Sequence, residues 1–205
     1  MSLDALIALM PPPANPVYAE GDWGTFQQQL GTRLPDEYKT MVSAYGVGLF
    51  ACSIAFPSPF APADKPYNLA RRHKSTQETD KYQDEVNIGM SLPVFPERDG
   101  VLSFGWQEGI NFFWRVNGPD PNRWTTCLYD LLKTKVEDYP MGAAELLERL
   151  LSKKIVSPLL HSYFPPDEAT GRFRFLKIGE EAPPWPEDPD DFSDELFESE
   201  QSESD

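Results

Sequence analysis

Apolar residues recur along this chain at two different spacings, and each spacing predicts a different element. Leu3, Leu6, Ile7 and Met10 fall three and four apart, which lines one face of a helix, with Ser2 placed to cap it. The run Pro11-Pro12-Pro13-Ala14-Asn15-Pro16 stops that helix and reads as a linker, so residues 1–21 are expected to form a helical arm packed on the body. Trp23, Phe26 and Leu30 mark a second helix, with Asp22 as its cap and Gly31 as its terminator. Leu34-Pro35-Asp36-Glu37-Tyr38 opens a third. Proline suits its start, Asp36 and Glu37 suit the positive end of its dipole, and Gly46 suits its exit. Leu49 to Phe56 is expected as one apolar strand ended by Pro57. The polar stretch Asn68 to Val86 reads as a partly exposed helix or loop, and its basic cluster Arg71-Arg72-His73-Lys74 as a solvated face.

The middle of the chain changes to a period of two. Leu102, Phe104 and Trp106 alternate, and after the turn Gln107-Glu108-Gly109 so do Ile110, Phe112, Trp114 and Val116, with Asn111 and Arg115 on the other face. Asn117-Gly118-Pro119-Asp120-Pro121 is a turn, and Trp124 to Leu128 a further strand. Short links between strands favour antiparallel neighbours. Ala144, Leu147, Leu150 and Leu151 return to helical spacing, with Lys153 and Lys154 at the negative end, and Phe173 to Ile178 offers a last strand. The pattern predicts one α+β domain, with helices packed on one face of a mostly antiparallel β-sheet. Residues 22–179 form its body.

Charge adds a third segment. The chain of 205 residues carries a net charge of −15. From Glu180 to Asp205 there are 12 acidic residues and no Lys or Arg, which leaves 21 acids against 18 bases in the rest. Residues 180–205 are therefore expected to be an acidic tail, disordered or loosely docked, with Phe192, Leu196 and Phe197 set among its acids. Such a chain repels nucleic acid and anionic membrane and attracts basic proteins. Cys52 and Cys127 sit in strand-like runs and read as buried free thiols. With no basic leader at Ser2 to Met10 and no apolar run long enough to span a bilayer, the expected location is cytoplasmic.

Chemistry is sparse. Gly46-Val47-Gly48 lacks the third glycine of a dinucleotide loop, and neither His73 nor His161 has a second ligand at metal spacing. Neither cysteine stands at a helix N-terminus, where a thiolate is favoured. Glu108 and Asp120, among Trp106, Trp114 and Trp124, leave open a glycosidase-like carboxylate pair; the competing reading places the tryptophans in the core. The expectation is no catalytic residues, no metal and no cofactor.

The order of motifs resembles the SUKH superfamily, the Smi/Knr-like group of fungal cell-wall-assembly regulators and bacterial immunity proteins. The resemblance rests on Leu30-Gly31-Thr32-Arg33-Leu34-Pro35-Asp36-Glu37-Tyr38-Lys39, then Tyr45-Gly46-Val47-Gly48-Leu49-Phe50, Ser58-Pro59-Phe60, Asn68-Leu69, Phe113-Trp114 and Gly118 to Trp124. It ends with Ala144 to Leu151 and Phe164-Pro165, and it leaves out the arm, Phe173 to Ile178 and the tail. It implies an α+β fold without catalysis, in which Trp23, Leu34, Pro35, Tyr38, Gly46, Gly48, Trp114 and Trp124 serve the scaffold. It also implies toxin neutralisation through a protein partner, here a basic, nuclease-type toxin domain, or alternatively a general intracellular scaffold or regulatory module. Charge and loop position then nominate Glu97, Asp99, Glu108, Asp120, Asp190, Asp191, Asp194 and Glu195 as partner contacts.

Overall fold

In a computed structural model, the structure describes residues 2–85, 92–131, 135–160 and 164–184. Five helices and a seven-stranded antiparallel sheet make one α+β domain among these residues. In chain order the elements are α1 (Ser2–Leu9), α2 (Trp23–Leu30), α3 (Asp36–Tyr45), β1 (Gly48–Phe50), β2 (Ile54–Phe56) and α4 (Leu69–Glu85). There follow β3 (Val101–Gln107), β4 (Ile110–Arg115), β5 (Thr125–Asp130), β6 (Lys135–Tyr139), α5 (Ala143–Leu151) and β7 (Leu176–Lys177). The strand order is β6-β5-β4-β3-β2-β1-β7.

Local signals close the helices as expected. The Asp22 carboxylate accepts the Thr25 N–H at 3.1 Å, and Gly31 leaves α2 at φ +82°. Gly46 leaves α3 at φ +63°, where a Cβ would lie 2.2 Å from the Val17 carbonyl oxygen. Only glycine meets both demands, and the close approach lets Val47 N–H reach that oxygen at 2.9 Å.

The main core lies between the sheet and α1, α3 and α5. Tyr38 is its hub: fully buried, with ring centroids 4.9 Å from Trp114, 5.4 Å from Phe56 and 6.2 Å from Trp23. Its hydroxyl donates to the Pro57 carbonyl at 2.8 Å, so burying the phenol leaves no polar atom unmet. The N-terminal helix belongs to this core, since Leu6 and Met10 are buried and Tyr45 donates its hydroxyl to the Met10 carbonyl at 2.7 Å. Glu37 does more than favour its own helix. Its carboxylate accepts the Ala143 N–H at 2.6 Å and so caps α5 across the interface. Gly142 makes room for it, because a Cβ there would stand 2.3 Å from that carboxylate.

Three local expectations need correction. Leu49 to Phe56 is two strands, not one: Phe50 pairs with Ile54 around a tight turn in which Ala51 and Cys52 take φ of +50° and +52°. Neither residue is a usual choice for positive φ, so no local signal marked the turn. Trp106 does not share a face with Leu102 and Phe104. A bulge between Ser103 and Gly105 inserts a residue, and Trp106 then pairs with Asn111 on the far face. The Arg71–Lys74 cluster is only half solvated: Arg71 and Lys74 are exposed, while His73 is buried and Arg72 lies over the Trp106 ring.

That far face has its own cover. Leu92, Val94, Val101, Phe113, Cys127 and Tyr129 form a second buried cluster, and α4 crosses the sheet beside it. Cys52 and Cys127 are both buried free thiols, and burial pushes Cys127 up to about 12. No helix among the described residues is long and apolar enough to cross a membrane.

Candidate functional site

Strand direction decides which nominated residues meet. Glu97 and Asp99 sit at the tip of the turn before β3, both exposed. The turn is tight: Glu97 N–H donates to Val94 O at 3.0 Å, Gly100 N–H to Glu97 O at 3.1 Å, and Val101 N–H to Pro93 O at 2.8 Å. α4 anchors it from behind, through Gln77 Nε2 donating to the Phe95 carbonyl at 2.8 Å and His73 packed on the Phe95 ring.

Asp120 lies at the same end of the sheet, because β4 runs antiparallel to β3 and Val116 N–H reaches Gly100 O at 2.9 Å. Its Oδ1 accepts the Asn122 N–H at 3.1 Å and caps a short 3-10 turn, Pro121–Arg123. Asn122 in turn clamps the start of α3. Its Oδ1 accepts the Asp36 N–H at 2.8 Å and its Nδ2 donates to Asp36 Oδ2 at 2.9 Å. The Asp36 carboxyl is held below its ordinary value first by its hydrogen bond with Lys39, then by Asn122. Asp120 is thus exposed and also structural.

Glu108 stands apart. It occupies the β3–β4 turn with Gly109, both at positive φ, at the opposite end of the sheet. The six residues of β4 put roughly 17 Å between that turn and the loop of Asp120. A glycosidase pair needs its carboxyls about 5–9.5 Å apart, so Glu108 and Asp120 do not form one. The tryptophans do not line a cleft between them either. Trp114 and Trp124 are buried in the core, and Trp106 is covered by Arg72. No group of three or more His, Cys, Asp or Glu among the described residues is arranged to hold a metal ion.

The structure therefore gathers Glu97, Asp99 and Asp120 on rigid loops at one end, and leaves Glu108 at the other. The gathered end is not an acidic patch. Arg98 is 95% exposed beside Asp99, and Arg123 is exposed beside Asp120. The excess of acid remains in residues 180–205. Of these, Glu180 lies 3.8 Å from both Arg174 and Lys177, while Asp190, Asp191, Asp194 and Glu195 lie outside the described residues.

One surface escaped the sequence reading. Past the end of α5, Leu150, Ile155, Leu160 and Phe164, together with Lys153 and Asp167, line a partly polar depression of about 370 Å³, with Val156 at 81% exposure. The signal was available: two β-branched residues, Ile155 and Val156, directly follow the lysines that end the helix. Compared with protein-family models, with curated proteins and with solved structures, the chain finds no match.

Proposed function

We propose that this chain is a non-catalytic binding protein of the cytoplasm that neutralises a basic, nuclease-type toxin by stoichiometric occlusion, as SUKH-type immunity proteins do. One observation carries the reading. Of the residues that the resemblance assigns to the scaffold, Leu34, Pro35, Tyr38, Gly46, Gly48, Trp114 and Trp124 are buried and Trp23 is half-buried. Recognition then falls to exposed loops held rigid by that scaffold, with Glu97, Asp99 and Asp120 together at one end. The net charge of −15 suits a partner that carries positive charge to hold phosphates. Residues 180–205 concentrate that charge and supply long-range steering, while the loops supply fixed contacts.

The test is co-expression with the product of the neighbouring gene. The reading expects suppression of that product's toxicity and a one-to-one complex whose association slows as salt rises. Toxicity unchanged and no complex at low salt would overturn it. Capture of several housekeeping proteins in place of one dominant toxin would replace it with the general scaffold reading.

A further inference from the structure

The far face of the sheet holds a cation that has no ion-pair partner among the described residues. Arg72 projects from α4 over the Trp106 ring, its guanidinium carbon 4.7 Å from the ring centroid. The residue is half-buried, and this burial holds its guanidinium below its ordinary value. Among the described residues no carboxylate forms an ion pair with it. Its Nη2 donates to Asn111 Oδ1, and its Nε is buried with no acceptor among the described residues. The π-face of Trp106 offsets part of the cost of holding this charge out of water. It accepts no hydrogen bond from the Nε–H, which lies in the plane of the fork.

The surroundings supply further donors. Arg72, Ser75, Thr76 and Thr79 follow one another at i, i+3, i+4 and i+7 and so share one stripe of α4. The Thr76 hydroxyl is spent on the Arg72 carbonyl at 3.1 Å, but those of Ser75 and Thr79 bind no protein group among the described residues. With Asn111 and Leu131 these residues line a small depression of about 30 Å³ that opens to solvent. A guanidinium with a spare N–H donor, beside two hydroxyls that bind no protein group among the described residues, suits a small oxygen anion such as a carboxylate.

We infer that Arg72, Ser75 and Thr79 form a receptor for a single carboxylate group, seated on the Trp106 face of the sheet. Two sources carry that chemistry: an Asp or Glu side chain of a partner protein, and the acidic residues 185–205 of this chain. The site is separate from the loops of Glu97 and Asp120, and it does not depend on the toxin-neutralising reading.

The experiment titrates acetate, and then a short glutamate-rich peptide, into the full-length chain. The readout is the NMR signal of the Trp106 indole N–H and of the Arg72 Nε–H. A saturable shift is expected with acetate and not with chloride at the same ionic strength. Arg72→Lys keeps the charge but removes the fork, and should weaken binding about tenfold or more. Thr79→Val and Ser75→Ala change surface hydroxyls only, leave the fold intact, and should each weaken binding several-fold. Equal shifts with chloride, or undiminished binding in Thr79→Val and Ser75→Ala, would overturn the site even if Arg72→Lys failed to fold. The source is read from a full-length variant with Asp190→Asn, Asp191→Asn, Asp194→Asn and Glu195→Gln. Tighter acetate binding than in the parent assigns the occupant to this chain's own acids; unchanged binding assigns it to a partner.

Discussion

Glu37 offers the sharpest test of how this fold is joined. Replacing it with Ala removes the carboxylate that accepts the Ala143 N–H at 2.6 Å. Ala143 and Ala144 are fully buried while the Glu37 side chain is in place. The cap and the lost acceptor are one hydrogen bond, and leaving its donor unmet costs about 1–3 kcal/mol. Glu37→Ala should therefore destabilise the chain by about 1–3 kcal/mol. Glu37→Gln keeps an oxygen acceptor in the same place and removes the charge. Desolvation raises the Glu37 carboxyl above its ordinary 4.5 and outweighs the opposing hydrogen bonds from Ala143 and Ala144, with Glu145 adding repulsion. The charge is a net burden there, so the Gln variant should fall within about 1 kcal/mol of the parent at neutral pH. The folded chain also holds this proton more tightly than the unfolded one. Its contribution to stability is complete below pH 4.5 and declines as pH rises through the raised folded value. Glu37→Gln should lack that decline. Urea unfolding followed by tryptophan fluorescence measures all of this. A Gln variant as unstable as the Ala variant would refute the reasoning, because it would show that the cap depends on the charge.

Three further outcomes follow from other parts of the fold. Gly46→Ala should cost on the order of 3 kcal/mol or more in urea unfolding, because its Cβ would meet the Val17 carbonyl at 2.2 Å and its φ of +63° is strained for alanine. Burial lowers the His73 imidazole below its ordinary 6.5, so its contribution is present above that pH and lost as pH falls through the lowered folded value; His73→Gln should flatten the fall in the unfolding midpoint as pH drops below about 6.5. Glu97→Lys with Asp99→Lys should slow association with a basic partner in stopped-flow measurements, and Glu108→Lys should do so less, because Glu108 lies at the far end of β3.

Legibility divided by the range of the interaction that mattered. The start and end of α2, the exit of α3 and the β3–β4 turn are set within four residues of themselves. Asp22, Gly31, Gly46 and Glu108-Gly109 could therefore be read directly from the chain. The scaffold role of Tyr38, Trp114 and Trp124 was legible for the same reason, since their spacing places them on buried faces. The candidate loops were legible as turns, but not their grouping. Only the antiparallel pairing of β3 with β4 shows that Asp120 joins Glu97 and Asp99 while Glu108 does not.

Taken alone, the order of residues determined that this is one α+β domain with a meander at its centre and acid gathered after Glu180. Tertiary structure decided the rest. A single inserted residue near Ser103 turns Trp106 to the other face, and a pattern of period two cannot announce its own interruption. Glu37 caps a helix 106 positions away, and Asn122 clamps Asp36 across 86. Arg72 meets Trp106 and Asn111 only because α4 lies across the sheet. Hydrogen bonds and charges act through space, so partners this distant acquire meaning only once the chain has brought them together.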